Sequence, residues 1–160
     1  MEKKNIIGLE VDNSNKVVEA LNELLANHQI YYQNLRGFHW LILGKNFFQL
    51  HEKYEALYNE AAETIDEIAE RILMLGGTPL HTFEGYLKNA NLKSVQNIRS
   101  SKESLALVEE NILLLLNCIR TILEEASENN DEGTVSIMGE LISKYEKHLW
   151  MFAAFNTNKD

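Results

Sequence analysis

Helix-breaking residues are scarce in this chain and confined to a few places, which leaves long helices as nearly the only way to fold it. Proline occurs once, at Pro79, and there are eight glycines in 160 residues. The interruptions gather at Gly44-Lys45-Asn46, at Gly76-Gly77-Thr78-Pro79 and at Asn129-Asn130-Asp131-Glu132-Gly133. Between them, apolar residues recur at three- and four-residue intervals, the period of a helix with one buried face. A first helix is expected over about 13–43, with Asp12, Asn13 and Ser14 as N-cap candidates. A second is expected over about 47–75, stopped by the Gly-Gly-Thr-Pro run. Ser100 with Glu103 forms a capping-box pattern that opens a third helix running to about 128. A fourth spans about 134–155.

The segment 80–99 is the longest break, and Thr82 can cap a short helix within it. The reading is all-α: two helix hairpins joined by one long crossover, a ferritin-like four-helix bundle with a short extra helix between helices 2 and 3. One domain over 1–160 is expected, with short tails at 1–12 and 156–160. No apolar run reaches membrane-spanning length. The start Met1-Glu2-Lys3-Lys4-Asn5 lacks a signal-peptide apolar region, so a cytoplasmic location is expected. Cys118 lies in an apolar run and reads as a buried, inert thiol. The formal net charge of −9 argues against bare attraction to nucleic acid, which depends on Lys and Arg neutralising phosphates.

The residues with chemistry to offer concentrate between Phe38 and Gly77. Asp66 and Glu70 are one helical turn apart and share a face; His51 and Glu55 form a second such pair, and His39 ends the first helix. Imidazole with carboxylate and no thiolate suits iron, zinc or manganese. Fifteen residues separate His51 from Asp66, which is roughly 22 Å along one helix. They cannot hold one ion in one chain. Either the pairs are unrelated surface features, or two subunits pack their second helices antiparallel across a two-fold axis. Such a crossing centres near Asn59 to Ala62, where Ala61 and Ala62 permit close approach. A site inside the bundle is disfavoured, because the chain holds no Glu-x-x-His motif.

Phe38-His39-Trp40, Leu41-x-x-Gly44-x-x-Phe47-Phe48-x-Leu50-His51 and Asp66-x-Ile68-Ala69-Glu70-Arg71-x-x-x-Leu75-Gly76-Gly77-x-Pro79 together resemble the Dps proteins, the mini-ferritins of bacteria under starvation and oxidative stress. The ending Lys147-His148-Leu149-Trp150-Met151-Phe152 is similar too, and the resemblance covers essentially the whole chain. It implies a hollow shell of twelve subunits in a bacterial cytoplasm, where it could sit at the nucleoid. It implies a ferroxidase site shared between subunits that takes two irons. His39 and His51 would come from one subunit, Asp66 and Glu70 from its two-fold mate. His39, Asp66 and Glu70 would hold the tighter iron, and His51 and Glu55 the second iron or its water. Trp40 would act as a redox partner. Fe(II) would be oxidised by hydrogen peroxide, and Fe(III) would mineralise in the cavity.

Glu128, Asp131 and Glu132 could line an iron-entry pore at a three-fold axis, although a solvated turn accounts for them equally. Glu52, Glu60, Glu63 and Glu67 read as solvated or cavity-facing charges. His28, His81 and His148 read as packed or surface residues, and Trp150 and Phe152 as core or interface. Direct DNA binding is not expected, since twelve copies at −9 make an assembly near −108. The competing reading is a non-enzymatic shell that compacts DNA or docks to other surfaces, with an idle metal site.

Overall fold

The computed structural model describes residues 3–157, so the outermost positions of both expected tails, 1–2 and 158–160, lie outside it. Five helices follow in order: α1 (Val11–Leu41), α2 (Phe47–Met74), α3 (Phe83–Asn89), α4 (Ser101–Glu128) and α5 (Glu132–Asn156). The only extended pairing among the described residues is an isolated bridge between Lys4 and Glu10. α1 packs on α2, α4 on α5, and α1 also meets α4 and α3. The apolar faces expected from periodicity line one shared core, with Leu21, Leu35, Leu57, Ile68, Ile112 and Met138 among its fully buried members.

Two expected caps form. Ser100 Oγ accepts from the Glu103 amide at 3.3 Å, and Thr82 Oγ1 from the Gly85 amide at 3.1 Å. The helix limits differ from expectation in three places, each for a local reason. α1 begins at Val11, earlier than the Asp12–Ser14 caps would place it, because the chain before it folds back. The Val11 amide donates to the Lys3 carbonyl, and the Asn5 side chain accepts from Ile7 and Leu9 while donating to Ser14 Oγ and the Leu75 carbonyl. α1 ends at Leu41 rather than 43, because Ile42 turns extended and the Leu43 amide pairs with Arg99 of the crossover. α5 begins at Glu132 rather than 134, because Asp131 caps it.

α2 stops in a Schellman arrangement. The Gly77 amide reaches back to Ile72 and the Gly76 amide to Leu73, with Gly76 at φ +89. A side chain on Gly77 would put its Cβ 2.5 Å from Val18 Cγ1, so the second glycine is required by close approach to α1.

The crossover is held by three asparagines on α1, a feature with no sequence signature. Asn22 accepts from the Leu80 amide and donates to the Thr78 carbonyl. Buried Asn27 accepts from the Asn91 and Leu92 amides. Asn34 bonds both Lys93 and Val95. Each side chain substitutes for a missing backbone partner, which lets an irregular segment lie against the bundle without orphaned amides.

Candidate metal centre

α1 ends and α2 begins beside one another, and that junction brings His39 and His51 face to face. Their rings stack with centroids 3.8 Å apart at an interplanar angle of 14°. His39 Nδ1 lies 2.7 Å from the His51 carbonyl, and His51 Nδ1 lies 2.7 Å from the His39 carbonyl. A carbonyl only accepts, so each Nδ1 carries a proton, and in the neutral ring the lone pair then lies on Nε2. The His39 carbonyl belongs to the last turn of α1, where it has no helical donor, and His51 supplies one. Phe47 stacks on His51 at 4.9 Å and Tyr58 meets His39 edge-on at 5.4 Å, which fixes both rings from their outer sides. His39 is 8 % exposed. The pair is therefore held in place with its Nδ1 protons directed by backbone, an arrangement also found in metal-ligating histidines.

The carboxylates stand elsewhere. Asp66 and Glu70 are exposed on α2, on the wall of an open depression of about 390 Å³ shared with Glu63, Thr64, Glu67 and Lys144. Glu55 is also exposed. Among the described residues no three His, Cys, Asp or Glu side chains converge. Within the described chain, the histidine pair and the Asp66–Glu70 pair stand apart.

Trp40 is 56 % exposed, and the Arg36 guanidinium sits 4.9 Å from its ring centroid and 5.2 Å from that of Tyr32. A cation over the indole disfavours removing an electron from it. Asp131 is 2 % exposed, unlike the solvated turn or pore position expected of it. Its carboxylate accepts from the Thr134 amide and hydroxyl at 3.0 and 2.6 Å and pairs with Arg71. Arg71 lies against Gly133, where a Cβ would fall 2.7 Å from the guanidinium. Capping α5 and fastening the end of α2 account for Asp131, while Glu128 and Glu132 stay exposed.

Other expectations divide. His28 is fully buried, and His81 is exposed with Nδ1 near the Pro79 carbonyl. Phe152 is core, but Trp150 is 67 % exposed in the single chain. Glu60 is half-buried rather than solvated, because His148 Nε2 lies 2.9 Å from its carboxylate. Burial pushes the Glu60 carboxyl up, but the His148 hydrogen bond and the charges of His148, Lys144 and Lys53 outweigh it and hold the group below its ordinary value.

Comparison with known proteins agrees with this architecture. The ferritin-like domain matches residues 18–159. A DNA protection during starvation protein of Porphyromonas gingivalis is 43% identical over 152 residues, spanning 95% of this chain and 96% of its own. The Dps protein of Vibrio cholerae O1, a member of the ferritin-like diiron-carboxylate superfamily, superposes with a TM-score of 0.95 at 44% identity, covering 96% of this chain and 97% of that one. A Dps protein of Bacillus brevis superposes at 0.88 with 36% identity, covering 91% and 98%. The chain belongs to the Dps family of ferritin-like proteins.

Proposed function

We propose that this chain is the subunit of a ferroxidase shell that oxidises Fe(II), preferentially with hydrogen peroxide, and stores the Fe(III) as mineral in its cavity. The observation that carries this reading is the stacked histidine pair, whose two Nε2 lone pairs are free and whose orientation is fixed by backbone. Fe(II) is the substrate. Neutral imidazoles bind it without excess negative charge, and hard carboxylates favour the Fe(III) product.

The second chain enters through the face of α2. Positions 48 and 73, 51 and 70, 55 and 66, and 59 and 62 are each equidistant from the point between Glu60 and Ala61. An antiparallel two-fold partner therefore sets Phe48 against Leu73, His51 against Glu70 and Glu55 against Asp66. Phe48 and Leu73 are 80 % and 55 % exposed in the single chain, which suits side chains that a partner covers. Each crossing then yields two equivalent sites, with His39, His51 and Glu55 from one subunit and Asp66 and Glu70 from its mate. On this reading twelve such subunits close into a shell in the bacterial cytoplasm.

In each turnover two Fe(II) lose one electron apiece, and one hydrogen peroxide takes both electrons with two protons to become two waters. Consuming two Fe(II) with each peroxide suppresses hydroxyl radical, which forms only where a single Fe(II) meets peroxide alone. The test is anaerobic Fe(II) titration with peroxide, followed at the ferric absorbance band, with dioxygen as comparison. Two Fe(II) per peroxide, and slower oxidation by dioxygen, are expected. A rate unchanged in the His39→Ala/Asp66→Ala double variant would show that the site lies elsewhere.

A further inference from the structure

The bundle core holds a polar pair that the iron chemistry leaves unused. Tyr145 and His28 are 1 % and 0 % exposed. His28 Nδ1 lies 3.0 Å from the Leu24 carbonyl, so it carries the ring proton and Nε2 accepts. The Tyr145 hydroxyl, 2.6 Å from that Nε2, is the donor. The rings lie 5.9 Å apart at 25°.

A phenol that loses an electron becomes a far stronger acid than an imidazolium, so the electron leaves readily only where a base already holds the phenolic proton. The other buried tyrosines lack one. The Tyr31 hydroxyl has no hydrogen-bond partner among the described residues, and the Tyr54 hydroxyl meets only the Ser104 hydroxyl, at 2.7 Å. At rest the pair is uncharged, since burial pushes the Tyr145 phenol up, with Glu60 adding to it, and pushes the His28 imidazole down to about 4.

We propose that Tyr145 and His28 form a proton-coupled redox pair that takes up the oxidising equivalent of hydroxyl-radical-class oxidants formed at the His39–His51 half-site. Only the source of the oxidant rests on the proposed iron chemistry; the pair itself does not. Aromatic rings mark out two stretches between these places, joined through the helix backbone. His39 meets Tyr58 at 5.4 Å and Tyr58 meets Tyr32 at 6.0 Å; Tyr31, the residue before Tyr32 in α1, meets Tyr145 at 6.4 Å. Arg36 over Tyr32 and Trp40 makes both poor resting places for the missing electron, and Tyr31 has no base. The oxidising equivalent comes to rest at Tyr145. One electron leaves its ring and, with a solvent proton, converts hydroxyl radical to water. The phenolic proton moves to His28 Nε2, giving a neutral phenoxyl beside an imidazolium. One electron from a further Fe(II) or a small thiol restores the phenol, and the proton returns.

The test uses two oxidants on the assembled protein. One is photogenerated tris-bipyridyl ruthenium(III) on iron-free protein, and the other is Fe(II) with peroxide, freeze-quenched. Both should give a phenoxyl radical in wild type whose high-field g-value and exchangeable-proton coupling report a hydrogen bond from nitrogen. Tyr145→Phe should abolish that species, and His28→Gln should shorten its lifetime several-fold. A wild-type radical without the exchangeable coupling overturns the pair even if no variant folds. So does an unchanged signal in a Tyr145→Phe protein with native melting behaviour. If ruthenium generates the radical but the iron burst does not, while Fe(II) is oxidised normally, the supply from the half-site is overturned. If ruthenium generates it and Fe(II) is not oxidised at all, the pair stands and the ferroxidase reading fails.

Discussion

Mixing two inactive variants measures how the metal site is divided between chains. His39→Ala removes the imidazole half and Asp66→Ala the carboxylate half, and helical rise keeps the halves roughly 22 Å apart on any one subunit. Shells reassembled from equal amounts of the two contain, by random pairing, about half mixed two-fold pairs. A mixed pair has one site with both halves intact and one with neither. About a quarter of all sites are then whole, and the peroxide-driven rate should return to ~25% of wild type. The whole fraction is the product of the two mole fractions, so recovery should peak at equal mixing and fall symmetrically on either side. Stopped-flow absorbance gives the rate, and native mass spectrometry of differently tagged subunits verifies the mixing. No recovery at any ratio, in shells shown to be mixed, refutes the shared site, because a site contained in one chain is dead in both variants.

Arg71→Ala leaves the buried Asp131 carboxylate without its cation and should cost about 3 kcal/mol, read as a lowered denaturation midpoint. Gly77→Ala drives a Cβ to 2.5 Å from Val18 and should cost about 1–3 kcal/mol while leaving the Fe(II) rate per folded site intact. His28 is neutral in the fold, with its pKa lowered from 6.5 to about 4 by burial, so the stability it confers is full above 6.5 and is lost as pH falls toward 4. The loss over that window should be about 3 kcal/mol, and His28→Gln should flatten the profile of denaturation midpoint against pH.

Much of this was legible in the sequence, and what was not has a common cause. Period and punctuation specify four long helices, and Ser100 and Thr82 cap theirs because a hydroxyl before a helix has one obvious use. Asn22, Asn27 and Asn34 have no such single use. They look like ordinary polar positions until the crossover lies against them. Asp131 reads as a turn residue, and its burial follows from Arg71, sixty positions earlier, reaching the α4–α5 turn. The histidines are recognisable as candidate ligands by type and spacing. Their fixed tautomers are not, because those depend on two carbonyls whose directions are set only when α1 and α2 dock.

Relatives are named for DNA protection, and for this chain the electrostatics bear on how protection would work. Binding to duplex through phosphates needs clustered cations, and each contact adds to the salt dependence of affinity. The net charge is −9, and Lys3 and Lys4 stand near Glu10, whose backbone pairs with that of Lys4. Multiplying such a subunit into a shell multiplies the repulsion. Protection by removing iron and peroxide needs no contact, and the histidine pair proposed to start that chemistry lies at a helix junction rather than on a basic surface. The expected result is no gel retardation of duplex at physiological salt, alongside suppression of Fe(II)/peroxide strand breaks that is lost in the His39→Ala/Asp66→Ala variant. Salt-sensitive retardation at low protein concentration, or full suppression by that variant, would place protection in the coat instead of the site.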